Sequence, residues 1–227
     1  MDQQTIQKQR VGEAACAMIE DGMTVGLGTG STVHFTILKL GERLKQEKLN
    51  IRAVSTSKRT TELARSLNIP IYDLNDVPII DLTIDGVDEF DRALNGIKGG
   101  GGALLFEKNV AAASKINIWV ADATKRVQQL GAFPLPVEIL PFSAVHTIKI
   151  LEKAGLSPTM RKRDGGTPYI TDSGHWIVDL HLGVIKHPKK LSEWLNGLPG
   201  VIENGLFLNI ADKVIVADGE GIDTIER

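Results

Sequence analysis

The stretch MTVGLGTGST, Met23 to Thr32, decides how this chain is read. "MTVGLG" has the texture of a buried strand entering a glycine turn. After Ser31 the apolar pattern becomes helical up to about Lys48. A strand that passes into a helix through small residues is the building unit of a parallel sheet. The unit recurs on both sides. Upstream, Ile6, Val11, Ala14, Ala15, Met18 and Ile19 make a helical stripe from Thr5 to about Glu20, which Gly22 stops. Downstream, "IRAVST" reads as a strand, "SKRTTELARSL" as an amphipathic helix and "IPIYDL" as a short strand. "LTIDG" is another strand, residues 103 to 114 another helix and "INIWVADA" another strand. This alternation, with apolar β-branched strands, predicts a parallel sheet covered on both faces by right-handed crossovers.

The texture changes at "LGAFPLPVEILPF", where Pro134, Pro136 and Pro141 punctuate the chain as a domain boundary does. A helix over residues 143 to 154 follows, then the polar loop "RKRDGGTP". "YITDSGHWIVDLHL" reads as a hairpin turning near Asp172–Gly174, and "KKLSEWLNGLPG" as a short helix. These elements predict a small α+β domain over 132–205. The strand-like "DKVIVAD" returns to the first sheet, so the large domain comprises 1–131 and 206–227.

Bulk properties narrow the function classes. The chain has 227 residues, 42% hydrophobic and 24% charged, with a formal net charge of -2. That is an ordinary globular composition, and it carries no basic field for nucleic acid. Cys16 is the only cysteine, which excludes an internal disulfide and suits a reducing compartment. Its alanine-rich surroundings read as a buried structural site. No apolar run approaches the roughly 18 residues of a membrane span. The polar start, "MDQQTIQKQR", lacks the apolar core of a secretory signal. A soluble cytoplasmic protein is expected.

Three strand-end loops carry the composition of a site, since ligands of open α/β sheets bind beyond the carboxyl ends of the strands. In "GLGTGST", Gly26 to Thr32, small residues allow close backbone approach. The helix that follows offers unpaired N–H groups, and Ser31 and Thr32 add hydroxyls. This suits a phosphate. Helix capping by Ser or Thr with no ligand explains the loop equally well. Ser31 stands where a dinucleotide fingerprint needs a third glycine, and no Gly-Lys-Ser/Thr end makes a Walker loop. "DGVDEF", Asp85 to Phe90, with Asp91 beyond it, gathers carboxylates fit for acid–base work, sugar hydroxyls or magnesium. An Asp-rich surface turn has the same composition.

"KGGGGALLFEK", Lys98 to Lys108, places four glycines before a helix, where backbone N–H groups form an anion nest and Lys98 adds charge. Glu107 lies about 7 Å along the helix axis from the glycines. Lys125, after "WVADAT", ends another strand. The five histidines show no metal-type clustering with cysteine. His175, Asp179 and His181 share a face if they lie on one strand, and read as a solvated face in preference to zinc ligands. Arg161, Lys162 and Arg163 read as a solvated loop.

Taken in this order, "GLGTGST", "TIDGVDE", "KGGGGALLFEK" and "ADATK" resemble the A-type ribose-5-phosphate isomerase family. "FPLPVEILP" and "TDSGHWIVDL" fit it too, so the likeness covers nearly the whole chain. The resemblance implies a Rossmann-like large domain, a smaller ferredoxin-like α+β domain, and assembly as a homodimer or homotetramer. It implies that Thr29, Gly30, Ser31 and Thr32 form a substrate-binding loop. Asp85, Gly86, Val87 and Asp88 match its acidic loop, and Lys98, Gly99, Gly100 and Gly101 its lysine–glycine loop. Glu107 matches the catalytic base and Lys125 a further substrate-binding lysine; Lys8 pairs with an N-terminal lysine near the phosphate. The departures are Val87, where alanine is common, and the fourth glycine, Gly102. Interconversion of ribose 5-phosphate and ribulose 5-phosphate through an ene-diolate is then expected, with no cofactor and no metal. A phosphosugar sensor without catalysis is the alternative, but such a sensor needs no base. A dinucleotide enzyme is disfavoured by Ser31.

Overall fold

The computed structural model describes residues 2–219 and 221–227. They form two compact units, one of residues 1–87, 106–126 and 209–227, the other of residues 88–105 and 127–208.

The first unit is built on a six-stranded sheet. Its strands are β1 (Thr24–Leu27), β2 (Arg52–Ser55), β3 (Ile80–Gly86), β6 (Ser114–Ala121), β12 (Lys213–Asp218) and β13 (Gly221–Glu226). The order is β13-β12-β6-β3-β1-β2, and every pairing is parallel except β12 with β13. Strand β1, between β3 and β2, is buried along its whole length, with Val25 and Leu27 on one face and Thr24 and Gly26 on the other. The helices are α1 (Gln3–Cys16), α2 (Ser31–Glu47), α3 (Lys58–Ser66) and α4 (Leu104–Ala112), of which α4 enters this unit at Phe106. Val11, Ala15 and Cys16 of α1, Val33, Ile37 and Leu40 of α2, and Leu27, Ile84, Ile118 and Val120 of the sheet share one core.

Two local expectations change. Helix α1 stops at Cys16 and not near Glu20, because the Arg43 guanidinium takes the Cys16 and Ile19 carbonyls at 2.6 and 2.9 Å. "IPIYDL" is not a strand but a single bridge, Ala53 with Ile71. Pro70 has no N–H to extend the ladder, and Asp73 caps a 3-10 turn over Leu74–Asp76 immediately afterwards.

The second unit holds a four-stranded antiparallel sheet in the order β10-β7-β9-β8. Its members are β7 (Leu135–Ile139), β8 (Pro158–Met160), β9 (Trp176–Leu180) and β10 (Val201–Asn204), packed with α5 (Ala144–Lys153) and α6 (Pro188–Asn196). A three-stranded sheet, β11-β5-β4, joins β4 (Glu89–Phe90), β5 (Gly96–Ile97) and β11 (Leu206–Phe207). That pairing draws residues 88–105 into this unit, so the packing boundary differs from the one expected at 131/132 and 205/206. The turn at Asp172–Gly174 is present, with Gly174 N–H on the Thr171 carbonyl. Its first arm is reduced to one bridge, Ile170 with Trp176. His175 precedes β9 and His181 follows it, so the two histidines and Asp179 do not line one strand. His175 Nδ1 lies 3.0 Å from the buried Glu138 carboxylate, and Asp179 is paired with Arg161.

Candidate active site

In the first unit, β1, β2, β3 and β6 run parallel, so the loops after Leu27, Ser55, Gly86 and Ala121 leave the same edge of the sheet. The Asp85 side chain at the end of β3 organises this edge. Its Oδ1 accepts from Thr29 N at 3.0 Å and from Gly86 N at 2.7 Å. Gly28 is glycine because of that contact: a Cβ there would fall 2.0 Å from Asp85 Oδ1 and 2.5 Å from Asp85 Cα. Asp85, Gly86, Gly28 and Thr29 are therefore one interlocked turn.

Helix α2 begins beyond it. Its N-cap is Gly30, at φ 129°, where an L side chain is strained, and among the described residues no side-chain cap bonds the N–H groups of the first turn. Ser31 and Thr32 thus do not cap the helix. The uncapped N-terminus keeps its donors and its positive dipole end for an anion. Ser31 is exposed at this terminus, and Thr32 is buried.

A hydroxyl cluster stands behind the loop that the reading of the sequence did not single out. Thr29 Oγ1 lies 2.8 Å from both Thr56 Oγ1 and Ser57 Oγ. Ser57 caps α3 through Thr60 N, and Thr60 Oγ1 donates to the Gly28 carbonyl at 2.8 Å. These hydroxyls fix the Gly28–Thr29 backbone from the β2 side. The signal was "STSKRTT", a run of hydroxyl residues where a strand hands over to a helix. Lys125, half-buried, closes a 3-10 turn (Ala123–Lys125) after β6, capped by Asp122. Glu107 sits in the first turn of α4 with 4% of its surface exposed, and Asp85 is 3% exposed. Carboxylates are kept so dry only where the fold or the chemistry uses them.

In the second unit the lysine–glycine loop is tied on several sides. Lys98 is 2% exposed, with its N–H on the Gly205 carbonyl at 2.9 Å and its ammonium 5.3 Å from the Phe207 ring centroid. That ring is an electrostatic seat for the cation. Asp88 accepts from Gly100 N at 2.7 Å. The nest expected from the glycine run is thus partly filled by the chain's own carboxylate. The acidic run is also dispersed: Glu89 accepts from Gly131 N and Phe133 N, and Asp91 from Ala93 N and Asn95 N. Each of these carboxylates serves separate backbone donors, and among the described residues no group of three or more His, Cys, Asp or Glu is placed to hold a metal ion. Arg161, expected in solvent, is half-buried and bonded to the glycine loop.

In the first unit, an uncapped helix start at the carboxyl edge of a parallel sheet, with the dry acids Asp85 and Glu107, is the equipment of an enzyme for a small, anionic, oxygen-rich substrate; the second unit carries the dry Lys98 in its glycine loop. Residues 52–221 match the family described as ribose 5-phosphate isomerase A (phosphoriboisomerase A), and the chain belongs to that family. It is 52% identical to ribose-5-phosphate isomerase A of Listeria innocua over 97% of this chain and 99% of that one. It is 50% identical to that of Enterococcus faecalis over 96% of each. A solved D-ribose-5-phosphate isomerase in complex with phospho-erythronic acid superposes with TM-score 0.93 at 39% identity, over 97% of both chains. The chain is thus an isomerase of pentose phosphates, with the Rossmann-like sheet and the smaller α+β unit of its solved relatives.

Proposed function

We propose that the chain interconverts D-ribose 5-phosphate and D-ribulose 5-phosphate, with Glu107 carrying a proton between C2 and C1 through an ene-diolate. One observation carries the assignment of roles: Glu107, Asp85 and Lys98 are all at most 4% exposed, although each would be solvated on an ordinary surface. A dry carboxylate is a stronger base toward carbon than a hydrated one, and it can return the proton it takes. The solved relative's ligand, phospho-erythronic acid, supports the same chemistry. It is a four-carbon sugar acid phosphate, and its planar carboxylate carries charge on two oxygens, as an ene-diolate does.

Lys98 and the glycine N–H groups hold the negative charge that develops on the substrate oxygens. Asp85, fixed by Thr29 and Gly86, handles ring opening and protons at those oxygens, and Asp88 binds hydroxyls. The uncapped start of α2, with Ser31 and Thr32, takes the phosphate, and Lys125 adds charge. Held there, the phosphate keeps C1 and C2 in place during proton transfer. The same reading makes the enzyme a cytoplasmic homodimer or homotetramer. Phe142, 94% exposed, and Val145 of α5 offer apolar surface for assembly, which sedimentation would measure. The activity is tested by assaying the purified chain, with EDTA present, for ribulose 5-phosphate formed from ribose 5-phosphate. Tight substrate binding without turnover would replace this reading with the sensor.

A further inference from the structure

The basic loop "RKRDGGTPY", residues 161–169, has no part in the scheme above, yet it braces the glycine loop from within the same unit. Arg161 Nη1 donates to the Gly99 carbonyl at 2.8 Å and to the Gly100 carbonyl at 3.0 Å. The other edge of the guanidinium is anchored on Asp179, with Nε 2.8 Å from Oδ2 and Nη2 on Oδ1. Eight residues on, the Tyr169 hydroxyl donates to the Gly101 carbonyl at 3.1 Å. Its ring fills the space a Cβ of Gly102 would need, 2.5 Å away. The Lys162–Pro168 bridge and the bond from Tyr169 N–H to the Arg161 carbonyl close the brace on itself.

Peptide geometry turns this into a statement about donors. In a trans peptide the C=O and the following N–H point in opposite directions. Holding the Gly99 and Gly100 carbonyls therefore turns the N–H groups of Gly100 and Gly101 away from Arg161. The Gly100 N–H meets Asp88, and the Gly102 N–H turns back to the Gly99 carbonyl at 3.0 Å. The Gly101 N–H takes no acceptor among the described residues, and it is the donor this wiring leaves for a substrate oxygen.

We infer that Arg161 is a positioning residue for the isomerisation: braced on Asp179, it sets the peptide planes of Gly99–Gly101 so that the Gly101 N–H, beside Lys98, faces the charge that forms. This rests on the proposed role of the lysine–glycine loop. Glycine peptides flip readily when unheld, and a donor contributes to the transition state only if it is oriented beforehand. Lysine replaces arginine only in part here, because a point charge cannot span a carboxylate and two carbonyls at once.

The test compares wild type, Arg161→Ala and Arg161→Lys in steady-state turnover of ribose 5-phosphate, with hydrogen exchange of the segment Lys98–Ala103 read in parallel. Arg161→Ala is expected to lower kcat by about 100-fold while KM moves by about threefold or less. Arg161→Lys should fall between the two. Guanidinium at millimolar concentration should restore part of the Arg161→Ala rate where ammonium does not. The 98–103 amides should exchange faster in Arg161→Ala with the rest of the protein unchanged. A kcat within about twofold of wild type overturns the inference. So does a loss that comes with general unfolding and is rescued by neither guanidinium nor lysine, and so does unchanged exchange of the loop. An inactive wild type strikes the functional reading instead, and the exchange experiment then decides on the brace alone.

Discussion

The two glycine loops, Gly26–Thr32 and Lys98–Gly102, look alike as sequence and are held in different ways. The first takes its shape from neighbours that the sheet itself supplies. Asp85 comes from the adjacent strand β3, and the hydroxyls of Thr56, Ser57 and Thr60 come from the loop after β2 on the other side. The second follows the two-residue strand β5 of the small antiparallel sheet in its own unit. It is held by side chains from remote sequence, 12 residues away at Asp88 and 61 or more at Arg161 and Tyr169. A loop embedded in a parallel sheet inherits its geometry from topology. A loop outside it must be wired by side chains, and each wire is a separate point of failure.

Substitutions can break this contrast, beginning with those that strike the proposed chemistry. Glu107→Gln keeps the volume and removes the base, so kcat should fall by about 10³-fold or more with the fold intact by circular dichroism. Lys98→Met should lower kcat by roughly 10² to 10³-fold, more than it raises KM, because the charge matters most when the oxyanion forms. Gly28→Ala strikes the topological loop. Its Cβ collides with the Asp85 carboxylate and backbone, so activity should drop at least about tenfold and the thermal midpoint should fall with it, as overpacking of this kind costs about 1–3 kcal/mol. If Gly28→Ala behaved like wild type, the interlock of the first loop would be wrong. Ser31→Ala should raise KM several-fold with kcat nearly unchanged, since its proposed contact is with the phosphate end alone.

The smallest effect concerns the far end of the same strands. Asp81 accepts from Thr24 N and pairs with Lys115, and these bonds, the lysine first, hold its pKa below the usual 3.8. A carboxylate with a lowered folded pKa stabilises the protein fully above its ordinary value. That contribution is lost as pH falls through the lowered one. Asp81→Asn should therefore cost about 1 kcal/mol or less at neutral pH, the pair being partly exposed. The difference from wild type should vanish in acid, as urea melts at both pH values would record.

The contrast also explains what could be read in advance. Strand-to-helix handovers such as MTVGLGTGST are local in chain and in space, so β1, α2 and the carboxyl-edge loops were legible from periodicity and glycine placement. Glu107 and Asp85 were legible as carboxylates beside such loops, and their roles came from the family likeness of the motifs. Arg161 was not legible: three basic residues in a polar loop carry the same pattern whether solvated or clamped, and the glycine carbonyls that Arg161 holds lie some sixty residues away. The Thr56–Ser57–Thr60 cluster was within reach, since hydroxyls at a strand end repeat the logic applied to Ser31 and Thr32. "IPIYDL" misled because its apolar alternation is real, but Pro70 leaves it one bridge. The segment 88–105 changed units because two-residue strands, paired with Leu206–Phe207, leave no periodic trace.

The proton transfer is assigned to Glu107. It is tested most directly by following ribose 5-phosphate in D2O by NMR with wild type and Glu107→Gln. Wild type should replace carbon-bound hydrogen at the C1–C2 positions with solvent deuterium during turnover, and Glu107→Gln should show neither isomerisation nor exchange while still binding the sugar phosphate. Exchange by Glu107→Gln at the wild-type rate would contradict the assignment and give the proton to another group.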